Sequence, residues 1–209
     1  FWSDVKKFDA SAIGYVGELC RYLMDAPASE LDRKHRVRKM IGNGMRPNIW
    51  NKFKQRFAIE EILELYASSE GNVGFSNVFN FDNTVGFSPT PYAIVQFDKD
   101  KNEAVRDAKG NCIRVKKGEV GLLIGKITRS SPFDGYSDPE KNRAVTMKNV
   151  FHQGDAYFMS GDLVRDIGFR HAQFVDRLGD TFRWRGENVS TTQVENICSD
   201  YEKIAEAVV

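Results

Sequence analysis

Four short segments of this 209-residue chain combine glycine with acidic, hydroxyl or basic side chains in runs that a plain core does not need. Gly42-Asn43-Gly44-Met45-Arg46-Pro47 reads as a flexible turn opening a helix, where missing side chains let backbone amides approach a flat or anionic ligand. Tyr66-Ala67-Ser68-Ser69-Glu70-Gly71-Asn72 sets an aromatic ring, two hydroxyls and a carboxylate just after an apolar run. A base can stack on such a ring, and hard oxygen ligands suit Mg²⁺. In Tyr157-Phe158-Met159-Ser160-Gly161-Asp162-Leu163 a carboxylate follows a strand and can accept hydrogen bonds from a ribose diol. Asp176-Arg177-Leu178-Gly179-Asp180-Thr181-Phe182-Arg183-Trp184-Arg185-Gly186-Glu187-Asn188-Val189 is dense in charge, glycine and aromatic rings. Taken singly, each segment has a plain alternative: an ordinary turn, a capped loop, a turn aspartate and a solvated hairpin.

The elements that must carry these segments change character along the chain. Residues 13–24 and 47–57 read as helices, the second opened by a proline suited to a first helical turn. Residues 59–66 form a short apolar run, compatible with helix or strand. From Tyr92 the pattern becomes that of alternating strands at 93–97, 113–115 and 122–127, with a charged turn region between the first two. A polar loop over 128–141 leads to a helix-like stretch around 145–151, and further β structure runs through Tyr157, Phe169, Phe174 and Val175. After Thr191 and Thr192 a helical run continues without a stop signal, and both chain ends read as cuts.

In their order, the four segments resemble the adenylate-forming ligase superfamily, which activates a carboxylic acid as an acyl-adenylate. Its successive Tyr-x-x-Thr-Glu, Ser/Thr-Gly-Asp and Asp/Gly-Arg-x-x-Asp motifs are matched by residues 66–70, 160–162 and 176–180. The run Gly-Asp-Thr-Phe-Arg-Trp-Arg-Gly-Glu-Asn-Val at 179–189 resembles the very-long-chain acyl-CoA synthetase and fatty acid transport protein family. That similarity extends over 14–23, 42–50 and 105–121, almost the whole chain.

The resemblance implies a mixed α/β chain with the adenylate-forming ligase fold, incomplete. Residues 1–91 would be α/β and 92–178 β-rich, both parts of the large domain, and 179–209 the hinge and start of a small C-terminal α+β domain. It implies ATP, Mg²⁺ and coenzyme A as the groups used, and a fatty acid as the acid activated. By similarity Tyr66 would stack on adenine, Ser69 would contact phosphate, and Glu70 would hold the Mg²⁺ that neutralises the polyphosphate. Ser69 stands where the family has threonine, keeping the hydroxyl but losing a methyl and some rotamer restriction. Asp162 would take both ribose hydroxyls and Arg177 the ribose and phosphate. Gly42, Asn43 and Gly44 would line the adenine and acyl pocket through backbone atoms. Gly179 falls at the superfamily's hinge, and Arg185 and Gly186 near the coenzyme A path. The family's Ser/Thr/Gly phosphate loop would lie before Phe1 and its adenylation lysine beyond Val209, so the isolated fragment is expected to be inactive.

Composition bounds the alternatives. Hydrophobic residues make up 41% of the chain, which argues against intrinsic disorder, and 30 basic against 29 acidic side chains leave a formal charge of +1. No overall field attracts nucleic acid, which is not expected as a partner. No apolar run is long enough to span a membrane, and no signal-peptide pattern opens the chain, so secretion is not expected. The three cysteines, Cys20, Cys112 and Cys198, fit a reducing compartment and neither a disulfide framework nor a zinc site. His35, His152 and His171 lack a spaced metal-binding partner. The basic run at 33–39 reads as a solvated helix face, or as a contact for anionic lipid headgroups. Relatives at the peroxisome, endoplasmic reticulum or plasma membrane make peripheral membrane association, facing the cytoplasm or peroxisomal, the expectation. A fatty-acid uptake protein with ligation secondary or lost is the competing function, and a nucleotide-free α/β domain is the bland one.

Overall fold

A computed structural model describes residues 1–67, 71–179, 181–184, 187–199, 201, 203–204 and 207–209. The chain divides into two compact units: Phe1–Tyr66 with Phe75–Ser88 and Phe169–His171, and Ala67–Gly74 with Pro89–Gly168 and Ala172–Val209.

The first unit runs α1 (Trp2–Lys7), β1 (Ala12–Val16), α2 (Gly17–Asp25), a 3₁₀ turn (Glu30–Asp32), β2 (Lys39–Asn43), α3 (Pro47–Phe57), β3 (Glu61–Ala67), β4 (Gly74–Ser76) and β5 (Gly86–Phe87). Strands β1, β2 and β3 are parallel, and α2 and α3 supply the crossovers that parallel neighbours require. β4 and β5 form an antiparallel pair beyond β3. Helix α3 has Pro47 in its first turn, Lys54 and Arg56 in its last, and Ala58 in the left-handed region as C-cap. Its Trp50, Phe53 and Phe57, at i, i+3 and i+7, are fully buried among Trp2, Cys20, Met40 and Ile62.

The second unit runs β6 (Tyr92–Val95), β7 (Phe97–Asp98), β8 (Glu103–Ala104), β9 (Val120–Lys126), α4 (Pro139–Val145), β10 (Thr146–Lys148), β11 (Ala156–Gly168), β12 (His171–Arg177), β13 (Thr181–Trp184), β14 (Glu187–Ser190) and α5 (Thr191–Ser199). Its sheet has the order β12-β11-β9-β6 with β10 also on β11, while β7-β8 and β13-β14 are separate antiparallel pairs. Val95, Leu122, Ile124, Val150 and Leu163 make the apolar core under this sheet.

Three readings of the sequence are corrected. Residues 13–24 are not one helix: Ala12–Val16 is a strand, drawn into register with β2, and the helix begins only at Gly17. The stretch 145–151 is not helical: α4 ends at Val145, and Thr146–Lys148 pairs with β11. The basic run is not a helix face, because a loop follows the 3₁₀ turn and β2 begins at Lys39. Its cations are spent locally: Lys34 on Glu30, Arg36 on Asp9, Arg38 on Glu60 and Lys39 on Glu61, while Arg33 donates to the carbonyls of Gln55 and Arg56.

Candidate active site

In the first unit the Gly42-Asn43-Gly44 segment is the C-terminal end of β2 and the turn into α3, the end of a parallel sheet at which ligands gather in open α/β folds. Asn43 and Gly44 are exposed and Gly42 is half-buried. Close backbone approach explains the glycines. A β-carbon on Gly42 would stand 2.0 Å from the Tyr15 carbonyl oxygen, and one on Gly17 would stand 1.8 Å from that of Gly44. At the end of the next strand Tyr66 is half-buried, its ring edge-on to Phe75 with centroids 5.8 Å apart.

Beneath the 42–44 turn lies a residue not singled out from sequence. Glu64 on β3 is 3% exposed; its Oε1 accepts from the Gly44 amide at 2.5 Å, and its Oε2 accepts from the Tyr15 hydroxyl. Burial pushes its pKa up to about 7, against the pull of the hydrogen bonds from Tyr15, Gly44 and Met45. Burial first, and Glu64 second, drive the Cys20 thiol up to about 12 and the Tyr15 phenol well above its usual value. Alternation was the available signal: Ile62, Glu64 and Tyr66 share one face of β3, so a carboxylate follows a core residue on the same face.

In the second unit Asp162 and Arg177 come together from the adjacent strands β11 and β12, with Arg177 Nε 3.4 Å from Asp162 Oδ1. Asp162 is buried, whereas the Arg177 side chain is 57% exposed. The register of β11 against β9 shifts between Met159 and Leu163, an irregularity that re-aims the side chains of residues 160–162 between them. Gly161 takes φ +79°, the Ser160 hydroxyl donates to the Leu123 carbonyl at 2.8 Å, and the Asp162 amide donates to Ser160 Oγ at 3.1 Å. The Leu178 amide closes the bulge onto the Gly161 carbonyl at 2.6 Å. Next to the pair Asp176 is 1% exposed; its Oδ1 accepts from the Arg177 amide, and its Oδ2 has no partner among the described residues. Asn72, which closes the 66–72 segment, donates to the carbonyls of Lys126 and Ser131 and accepts at its own carbonyl from the Ser131 hydroxyl. Gly179 is exposed with φ +102°.

The positions of Ser69, Glu70, Arg185 and Gly186 lie outside the described residues. Among the described residues no group of three or more His, Cys, Asp or Glu is placed to hold a metal ion, and no helix is long and apolar enough to cross a membrane.

The fold matches ATP-bound MatB from Rhodopseudomonas palustris with a TM-score of 0.67 at 17% identity, over 94% of this chain and 37% of that one. It matches a benzoate CoA ligase from Burkholderia xenovorans LB400 with a TM-score of 0.63 at 21% identity, over 100% of this chain and 39% of that one. In sequence the chain is 48% identical to the medium/long-chain-fatty-acid–CoA ligase FadD6 of Mycobacterium tuberculosis over 209 residues, all of this chain and 35% of that protein. It is 45% identical to long-chain fatty acid transport protein 2 of Rattus norvegicus over 204 residues, 94% of this chain and 33% of that protein. The chain is thus similar in sequence to a fatty-acid–CoA ligase and to a long-chain fatty acid transport protein, and it spans about a third of the length of the curated relatives it matches. No family model matches it.

Proposed function

We propose that this chain is part of an AMP-forming fatty acid:CoA ligase. In that reaction a fatty-acid carboxylate attacks the α-phosphorus of ATP, pyrophosphate leaves, and the thiol of coenzyme A then displaces AMP from the acyl-adenylate. The observation that carries the reading is the Asp162 and Arg177 pair at the β11 bulge. A buried carboxylate with acceptor-only oxygens suits a ribose diol, and the exposed guanidinium beside it carries a permanent charge suited to phosphate. Positioning and charge neutralisation supply most of the catalysis in such chemistry.

In this reading Tyr66 stacks on adenine, the backbone of Gly42, Asn43 and Gly44 lines the adenine and acyl pocket, and the Ser69 hydroxyl meets phosphate. Mg²⁺ keeps waters and substrate phosphates as ligands and takes only one or two protein carboxylates. Glu70 would supply that carboxylate, and the metal would neutralise the polyphosphate. Gly179 is the hinge at which a small domain, beginning at about 179, turns between the half-reactions, and Gly186 lies on the coenzyme A path.

The test is ATP-dependent thioester formation by the full-length protein with ATP and with 2′-deoxy-ATP. Wild type is expected to prefer ATP, and Asp162→Ala to lose most activity together with that preference. Equal use of the two nucleotides by wild type would refute the ribose assignment.

A second reading, fatty-acid uptake at a membrane with ligation secondary, is favoured by the relatives named long-chain fatty acid transport proteins. Peripheral membrane contact, facing the cytoplasm or peroxisomal, belongs to it. Uptake that survives Asp162→Ala while thioester formation is lost would establish transport as a separate activity.

A further inference from the structure

Glu64 uses its carboxylate entirely on the protein. Burying a carboxylate is costly unless its oxygens are satisfied. Among the described residues no cation pairs with Glu64; its partners are the Tyr15 hydroxyl and the amides of Gly44 and Met45, the latter at 3.3 Å from Oε1 and 3.4 Å from Oε2. Those partners sit on both sides of the 42–44 turn. Tyr15 is the register partner of Gly42 on β1, and Gly42 is in turn the register partner of Glu64 on β3. A β-carbon on Gly42 would stand 2.8 Å from Tyr15 Cδ1, so the Tyr15 ring packs directly on the strand end that Glu64 holds from the other side. A carboxyl group turns two oxygens toward these three donors, where a carboxamide has only one oxygen and would turn its NH₂ toward one of them.

We infer that Glu64 is the positioning residue of the 42–44 turn, fixing the backbone of Gly44 and Met45 through their amides. The inference rests on the reading above for what the turn lines, the adenine and acyl pocket, but the positioning itself is a statement about backbone amides.

The experiment uses the full-length protein as wild type, Glu64→Gln, Glu64→Ala and Tyr15→Phe. It combines peptide-resolved hydrogen exchange over the 42–46 region with steady-state thioester formation. Glu64→Gln keeps the shape and one acceptor oxygen, so it remains informative where Glu64→Ala does not fold. The expected result is exchange about tenfold faster at Gly44 and Met45 in Glu64→Gln, with the β1 to β3 ladder unchanged. KM for ATP rises by a similar factor while kcat falls less than about threefold, and Tyr15→Phe, which leaves both amides held, changes KM less than about twofold. Unaltered exchange at Gly44 and Met45 would overturn the inference, as would faster exchange spread evenly along β1 to β3 with KM unchanged. If the wild-type protein forms no thioester, the functional reading fails and the exchange pattern alone decides the positioning role.

Discussion

Replacing Gly42 by alanine tests the close packing on which the turn depends. The new β-carbon would stand 2.0 Å from the Tyr15 carbonyl oxygen, and 2.8 Å from both the Tyr15 carbonyl carbon and Cδ1. Carbon and oxygen normally approach no closer than about 3.3 Å, so β1 and β2 must part by more than about 1 Å at the Tyr15 and Gly42 register pair. Overpacking of that kind costs about 2 to 3 kcal/mol, and here the backbone rather than a flexible side chain has to yield. Gly161→Ala is the control. A β-carbon there meets nothing within 4 Å, and only its φ of +79° opposes substitution, at about 1 to 2 kcal/mol. Peptide-resolved hydrogen exchange of both full-length variants reads the local opening free energies. Gly42→Ala should loosen β1 and β2 by more than Gly161→Ala loosens β11. A Gly42→Ala protein with wild-type protection in β1 and β2 would refute the packing argument.

Three further outcomes follow from other parts of the molecule. Glu64 has a folded pKa raised from 4.5 to about 7, so the folded state keeps a proton that the unfolded state releases. That stability is fully present below pH 4.5 and is lost as pH rises through 7, about 3 kcal/mol in all. Exchange protection of β1 to β3 should therefore fall over this window in wild type relative to Glu64→Gln, and parallel pH profiles would contradict it. Arg177→Lys keeps charge but loses the planar fork, and should raise KM for ATP about tenfold with folding intact, measured by steady-state kinetics. At Gly179, with φ +102°, Gly179→Pro should slow the thioester-forming half-reaction more than adenylation, checked by pyrophosphate release against acyl-CoA formation.

The candidate residues stand out as motifs, and their geometry does not. Helix α3 matched its sequence reading over Pro47–Phe57 because the proline start and the Trp50, Phe53, Phe57 stripe are local signals. Residues 13–16 read as helix because tertiary pairing decides them: Ile13, Tyr15 and Val16 fit a helical stripe as well as a strand, and only β2 settles the matter. The same holds at Thr146–Lys148, whose register partners are Phe158, Tyr157 and Ala156 on β11. Asp162 and Arg177 were identified by their motifs, but the bulge that aims Asp162 depends on the register of β9, which no local pattern records. Glu64 carries no motif of its own, and a glutamate in an apolar run compatible with helix or strand has no fixed face. Here it occupies the inward face, and its donors lie 49 residues upstream at Tyr15 and 20 upstream at Gly44.

The central claim is that the full protein joins a fatty acid to coenzyme A through an adenylate. Its most direct test is ATP-dependent acyl-CoA formation by the full-length protein across a fatty-acid chain-length series, with Glu70→Ala and Asp162→Ala beside it. The predicted result is thioester from long-chain acids that both substitutions abolish without unfolding the protein. A folded wild-type protein that makes no thioester from any acid, or activity that survives both substitutions, would contradict it.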